Sequence, residues 1–186
     1  MKKFPWKPVT VTILAVLVVE ILLIVGGVYS GIPDVAATNR EGRIMRWFFS
    51  RTKDHSIEAR AEKISAPSLE DSSMAANGFE HYHEMCVSCH GAPGHSADEF
   101  AKGLNPHAPN LARSTRDMSP SEMFLVVKDG IKMTGMPAFG PTHSDSAVWD
   151  IVAFLKRMQS MTPKEYAGFQ KNLKEEGDNK RTEHRH

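Results

Sequence analysis

The chain has two cysteines in 186 residues, and both fall in one short run, Cys86-Val87-Ser88-Cys89-His90. That placement excludes most of what paired cysteines do. A structural zinc site wants a second pair of Cys or His ligands at matching spacing, and there is no other cysteine. A thioredoxin-like redox pair follows a strand in an alternating strand and helix pattern, which the flanking sequence lacks. A disulfide between residues three apart closes too short a loop to stabilise much. What remains is the Cys-x-x-Cys-His signal for c-type haem, in which the sulfurs bond the two vinyl groups and the adjacent imidazole binds the iron. A helical turn spaces the thiols to suit the vinyls and aims the next residue beneath the ring. The motif therefore implies one covalently attached haem c, bonded by Cys86 and Cys89, with His90 as an iron ligand.

The sequence around the motif suits such a filler. Residues 72–171 carry four helical signals separated by loops rich in glycine and proline, and no convincing alternating strand, so the fold class is all-α. Ser119-Pro120-Ser121-Glu122 is a capping box with proline at the first helical position, and Gly130 closes that helix. A third helix opens near Ser144 or Asp145, with Val148, Ile151, Val152 and Leu155 in one apolar stripe. Thr162-Pro163-Lys164-Glu165 repeats the capping pattern and starts a short fourth helix carrying Tyr166 and Phe169. Helices this short make a thin core, so the fold is expected to depend on the haem. Residues 172–186 form a charged tail that is expected to be disordered.

Apolar residues are concentrated elsewhere. From Val9 to Tyr29 the sequence is apolar apart from Thr10, Thr12 and Glu20. About 21 residues at roughly 1.5 Å each reach about 31 Å, one membrane crossing. The alternative is a cleaved signal peptide, with Lys2, Lys3 and Lys7 before the run and Val35-Ala36-Ala37 as a small-residue cleavage site. Its apolar region would span only about 7 to 15 residues, so a retained anchor fits better. Lysines before the run and Arg40, Arg43 and Arg46 after it leave orientation unsettled by charge. Domain limits follow: residues 1–8 as a cytoplasmic N-terminus, 9–29 as the lipid-contacting anchor, 30–71 as a connector, then the 72–171 domain and the tail.

Within the connector, Arg43 to Asp54 alternates arginines with Trp47, Phe48 and Phe49. This suits either a helix at the lipid headgroups or ordinary packing against the domain. His55 to Ile64 reads as a separate short amphipathic helix, with Ile57, Ala61 and Ile64 on one face, ending near Ala66-Pro67. Residues 38–66 hold seven basic and four acidic side chains, and residues 72–171 nine and ten. Neither balance suggests nucleic-acid binding.

From Ala75 to Met158 the chain resembles a class I c-type cytochrome. In that family a helix running into the haem motif crosses a last helix at a small residue flanked by aromatics, which Gly78, Tyr82, Ile151 and Phe154 match. The resemblance implies that Pro109, in "HAPNLAR", offers its carbonyl to the haem-binding histidine and that Leu111 packs on the haem. It also implies that Met136, in "GMPAFG", is the sixth ligand. Pro137 and the surrounding glycines favour an extended loop there, whereas Met133 lies nearer the preceding helix and is expected to pack. His81, His83, His107 and His143 are rival ligands, more simply read as exposed polar or capping groups; His184 and His186 belong to the tail. Arg113, Arg116 and Lys132 are candidates for holding haem propionates.

The anchor followed by "DVAAT", "SIEARAEKI" and "GIKMTGMPAFGPTHSD" is similar to membrane-anchored bacterial monohaem cytochromes. That implies a single-pass protein of the cytoplasmic (inner) membrane with its haem domain in the periplasm, where such haem is attached. The expected function is single-electron transfer between a donor and an acceptor protein through a His/Met-ligated haem, without substrate turnover of its own. Ala138 and Phe139 are candidates for the apolar docking patch. Other readings are a fixed haem-c subunit of a larger respiratory or dehydrogenase complex, to which Glu20 in mid-span is relevant, and, further off, a gas sensor or peroxidase.

Overall fold

The computed structural model describes residues 6–39 and 41–183. Among them there is no strand, only one isolated antiparallel bridge between Ala92 and His95. The helices in chain order are α1 (Trp6–Tyr29), α2 (Arg43–Ala61), α3 (Ser72–Met85), α4 (Val87–His90), α5 (Leu111–Ser114), α6 (Pro120–Asp129), α7 (Asp145–Met158) and α8 (Pro163–Glu183), with a 3-10 turn at Glu99–Gly103. They form two compact units, residues 1–39 and residues 40–186.

The first unit is α1, whose side chains are exposed all round. Its two threonines hide their hydroxyls inside the helix: Thr10 Oγ1 donates to Lys7 O at 2.9 Å and Thr12 Oγ1 to Pro8 O at 2.9 Å. By length and composition α1 is able to cross a membrane. It starts at Trp6, three residues before the expected anchor; Lys2 and Lys3 lie outside the described residues.

In the second unit α3, α6, α7 and α8 begin where side chains replace missing backbone partners. Asp71 accepts from Ser73 N at 2.8 Å at the head of α3. Ser119 and Glu122 close a reciprocal box at α6, where Ser119 N donates to Glu122 Oε2 at 2.6 Å and Glu122 N to Ser119 Oγ at 3.2 Å. Ser144 accepts from Ala147 N at α7. Thr162 and Glu165 repeat the box at α8. Gly130 ends α6 in the left-handed region, at φ 65°.

The core gathers where α3 and α7 meet. Gly78 lets the backbones touch, since a Cβ there would stand 1.9 Å from Asp150 O. Phe79 then packs edge-on to Phe154 at 5.4 Å and to Tyr166 at 5.3 Å, while Phe124 of α6 stacks on Trp149 of α7 at 4.2 Å.

Two segments differ from the sequence reading. The headgroup-type stretch and the short amphipathic helix are one continuous helix, α2, whose C-terminal end packs on α6. Ala61 is buried there, Arg60 pairs with Asp129, and Ser121 Oγ donates to Ile64 O at 2.8 Å. Likewise the fourth helix is not short and the chain does not lose structure at residue 172. Leu173 extends the Tyr166 and Phe169 stripe onto the core, Lys171 pairs with Glu175 at 3.6 Å one turn on, and α8 runs to Glu183. Residues 184–186, with His184 and His186, lie outside the described residues.

Candidate haem site

Cys86 is both the last cap of α3 and the first of α4, so the motif is wound as a tight turn. Cys86 N donates to Tyr82 O at 2.9 Å, Cys89 N to Cys86 O at 3.1 Å, and His90 N to Cys86 O at 2.9 Å. The two thiols are therefore presented one turn apart, and neither is in a disulfide. Cys86 is buried and Cys89 half-buried. Burial, and behind it the neighbouring Cys89, push the Cys86 thiol up to about 12, which keeps it protonated.

Gly91 turns the chain out of α4 at φ 65°, where a Cβ would meet His95 O at 2.8 Å. Its carbonyl accepts the Tyr82 hydroxyl at 2.5 Å. Burial holds the Tyr82 pKa well above the usual phenol range, so that hydroxyl remains a donor. Asp98 N donates to Ser88 O at 2.8 Å and closes the loop back on the motif.

His90 Nδ1 lies 2.8 Å from Pro109 O. A carbonyl only accepts, so Nδ1 must carry the proton and Nε2 keeps its lone pair. Burial is the larger influence on the imidazole and lowers its pKa, against the opposite pull of the Pro109 carbonyl. The result is a neutral ring of fixed tautomer whose free nitrogen is a metal-ligating one.

Pro109 is itself positioned from α7. Leu111, which starts α5, is half-buried against the core, and Thr115 Oγ1 donates to Leu111 O at 2.7 Å. Gln159 at the end of α7 donates to Thr115 O at 3.0 Å. Arg116 reaches the same end, its guanidinium donating to Gln159 O at 3.2 Å, so this propionate candidate is engaged with α7. Arg113 and Lys132 are exposed.

The loop with the two methionines folds back on the end of α6. Ile131 N donates to Met136 O at 3.2 Å and Met136 N to Thr134 Oγ1 at 3.1 Å. Phe139 N then donates to Val127 O at 3.2 Å and Gly140 N to Lys128 O at 2.8 Å. Gly130 and Gly135 permit this closure. A Cβ on the first would meet the Pro137 carbonyl carbon at 2.6 Å, and on the second Leu104 Cδ2 at 2.7 Å.

Met136 is half-buried, whereas Met133 stands at φ 60° with 77% of its surface exposed. The expectation that Met133 packs is therefore wrong. A tight turn, in which Thr134 N donates to Ile131 O, lifts it off the body.

Three of the rival histidines are not the exposed groups expected. His83 stacks on Phe79 at 5.5 Å with its Nδ1 3.2 Å from the Tyr166 hydroxyl. His81 and His143 meet edge to face at 5.3 Å, and His143 also packs on Phe139 at 5.6 Å. His107 is exposed, as expected. The links from Gln159 to Thr115 and His83 to Tyr166 join segments 44 and 83 residues apart, so no spacing rule reveals them.

The donor set fits a covalently bound haem: two unpaired thiols one turn apart, a histidine with its tautomer fixed, and half-buried Leu111 and Phe139 packed against the core. Residues 73–155 match the family model described as Cytochrome C oxidase, cbb3-type, subunit III. The match runs from the first turn of α3 into α7 and so contains the motif, the Pro109 loop and both methionines. A search of the curated proteins finds no match. The all-helical unit, the haem-attachment motif and this match together identify residues 73–155 as a class I c-type cytochrome domain, which binds haem c covalently and serves electron transfer.

Proposed function

We propose that this chain is a membrane-tethered periplasmic monohaem cytochrome that relays single electrons between redox proteins. Haem c, bonded through Cys86 and Cys89, supplies a one-electron ferric/ferrous couple. The observation that carries the reading is the 2.8 Å contact between His90 Nδ1 and Pro109 O, which leaves Nε2 as the free base for the iron. In this reading His90 would hold the iron through Nε2, with Pro109 fixing its orientation and Leu111 packing on the haem. Met136 would be the second ligand, a neutral thioether that favours the ferrous state and raises the potential. Its half-buried position, against the exposure of Met133, favours it of the two. Held by both ligands, the iron would have no open position at which to turn over a substrate of its own.

The apolar α1 supports the tether, and the attachment chemistry supports a periplasmic domain. One observation favours a second reading, a fixed haem subunit: the matched family is named for an oxidase subunit. Mild-detergent purification separates the two, since an oxidase co-purifying in fixed proportion indicates the subunit and a solitary cytochrome the mobile carrier.

The ligand assignment is tested on the ferric holoprotein. Met136→Ala should abolish the far-red sulfur-to-iron band and open the reduced iron to carbon monoxide, while Met133→Ala should change neither. Persistence of the band in Met136→Ala, or rapid and complete carbon monoxide binding by the unaltered protein, would overturn it.

A further inference from the structure

The two halves of α2 turn their apolar residues in opposite directions. Ile57 and Ala61 face α6 at the C-terminal end. At about 100° per residue, Ile44, Met45, Phe48 and Phe49 form a second stripe centred about 200° round the helix from the first. These four are 83%, 50%, 53% and 45% exposed. Because this stripe points away from α6, no lengthening of the existing contact covers it.

We propose that the N-terminal half of α2 lies on an anionic lipid surface, with Ile44, Met45, Phe48 and Phe49 in the headgroup layer. Charge and chain length both select this occupant. Arg43, Arg46 and Arg51 lie along the same turns, and a helix about 10 Å across keeps all three within a Debye length of the surface, where basic side chains are attracted to acidic lipid. Arg51 and Trp47 lie toward one flank of the stripe, the level that amphipathic side chains take at an interface. Residues 30–42 separate this half-helix from α1. A chain of about 13 residues spans at most about 45 Å, so a membrane holding α1 is within reach. The inference rests on the tethered reading above, and the experiment below separates the two.

The full-length holoprotein, whose native thiols are consumed by haem attachment, is spin-labelled at Phe48→Cys, Ser50→Cys or Leu17→Cys. It is then placed singly in phosphatidylglycerol/phosphatidylcholine nanodiscs and reduced to silence the iron. Collision with oxygen, which partitions into lipid, is compared with collision with a water-soluble nickel chelate. Position 48 should show an oxygen-to-nickel ratio several-fold above that of position 50, which lies about 200° away on the face shared with Ile57. The contrast should shrink in pure phosphatidylcholine and in the Arg43→Gln/Arg46→Gln/Arg51→Gln variant.

Equal, high nickel access at 48 and 50 overturns the proposal, as does protection of 48 from both reagents, which marks a protein partner instead. If 48 reads as water while 17 reads as lipid, the tether stands and this inference falls. Water at both 17 and 48 removes both.

Discussion

Replacing Gly78 by alanine sets two effects of known size against each other. Alanine is the better helix former by about 1 kcal/mol, so on propensity alone the change stabilises α3. Against that, the new methyl would stand 1.9 Å from Asp150 O, 2.4 Å from Asp150 C and 2.9 Å from Ile151 N, all of them backbone atoms of α7. No side chain is able to swing away, so α3 and α7 must separate by about 1.5 Å before the contact becomes ordinary. A gap of that size forfeits at least about half of the attraction between the facing surfaces. Phe79, Tyr82, Val148, Ile151 and Phe154 are buried where these helices pack. At about 2 kcal/mol each, the loss is on the order of 5 kcal/mol. The net expectation is a domain less stable by about 4 kcal/mol, a fall in midpoint of about 16 °C at roughly 4 °C per kcal/mol.

Thermal unfolding of the detergent-solubilised holoprotein, followed by far-ultraviolet circular dichroism, measures it. The internal reference is Gly168→Ala in α8, where a Cβ meets nothing within 4 Å. Only propensity acts there, and stability should rise by up to about 1 kcal/mol. A Gly78→Ala midpoint equal to or above the unaltered protein's would refute the close crossing.

Three further outcomes are expected. Tyr82→Phe deprives the Gly91 carbonyl of its buried donor and should cost about 1–3 kcal/mol in guanidinium chloride unfolding; an unchanged midpoint means the bond contributes nothing. Asp71 and Glu165 have pKa values below the ordinary 3.8 and 4.5, chiefly through backbone bonds from Ser73 and Thr162. Their capping is therefore complete above those values and is lost as pH falls through the lowered ones. Amide exchange at Ser73 and Thr162 should accelerate in that window beyond its intrinsic pH dependence, with the Thr162 component absent in Glu165→Gln. Gly130→Ala, at φ 65° and against the Pro137 carbonyl, should distort the Met136 loop and weaken the far-red sulfur band even though no ligand is changed.

Much of the site is legible because its chemistry demands local spacing. The Cys86 to His90 motif, the boxes at Ser119 and Thr162 and the stop at Gly130 all act within four residues, and the structure contains each of those turns. Periodicity fails where one helix serves two surroundings. In α2 the stripes of the two halves lie on opposite sides, so a test for a single face splits a continuous helix in two. In α8 the sequence after Phe169 offers one apolar side chain in the expected place, Leu173, too little to register beside so many charges. His83 and Tyr166 are 83 residues apart, and their contact exists only because α3 and α8 pack together.

For the proposed membrane-tethered carrier, the continuity of α2 also changes the kinetics. Had the domain begun at residue 72, the leash from α1 would be about 42 residues, and a coil of that length has a root-mean-square reach of about 36 Å. Helix from Arg43 onward leaves about 13 residues and a reach of about 20 Å. Local concentration scales as roughly the −3/2 power of leash length, so a partner fixed in the same membrane within that reach meets this haem at about sixfold higher concentration. One lying beyond the full extension of those residues, about 45 Å, is not met at all. Under the proposed tether, leash length thus selects which neighbours exchange electrons with this domain, independently of any complementarity between their faces.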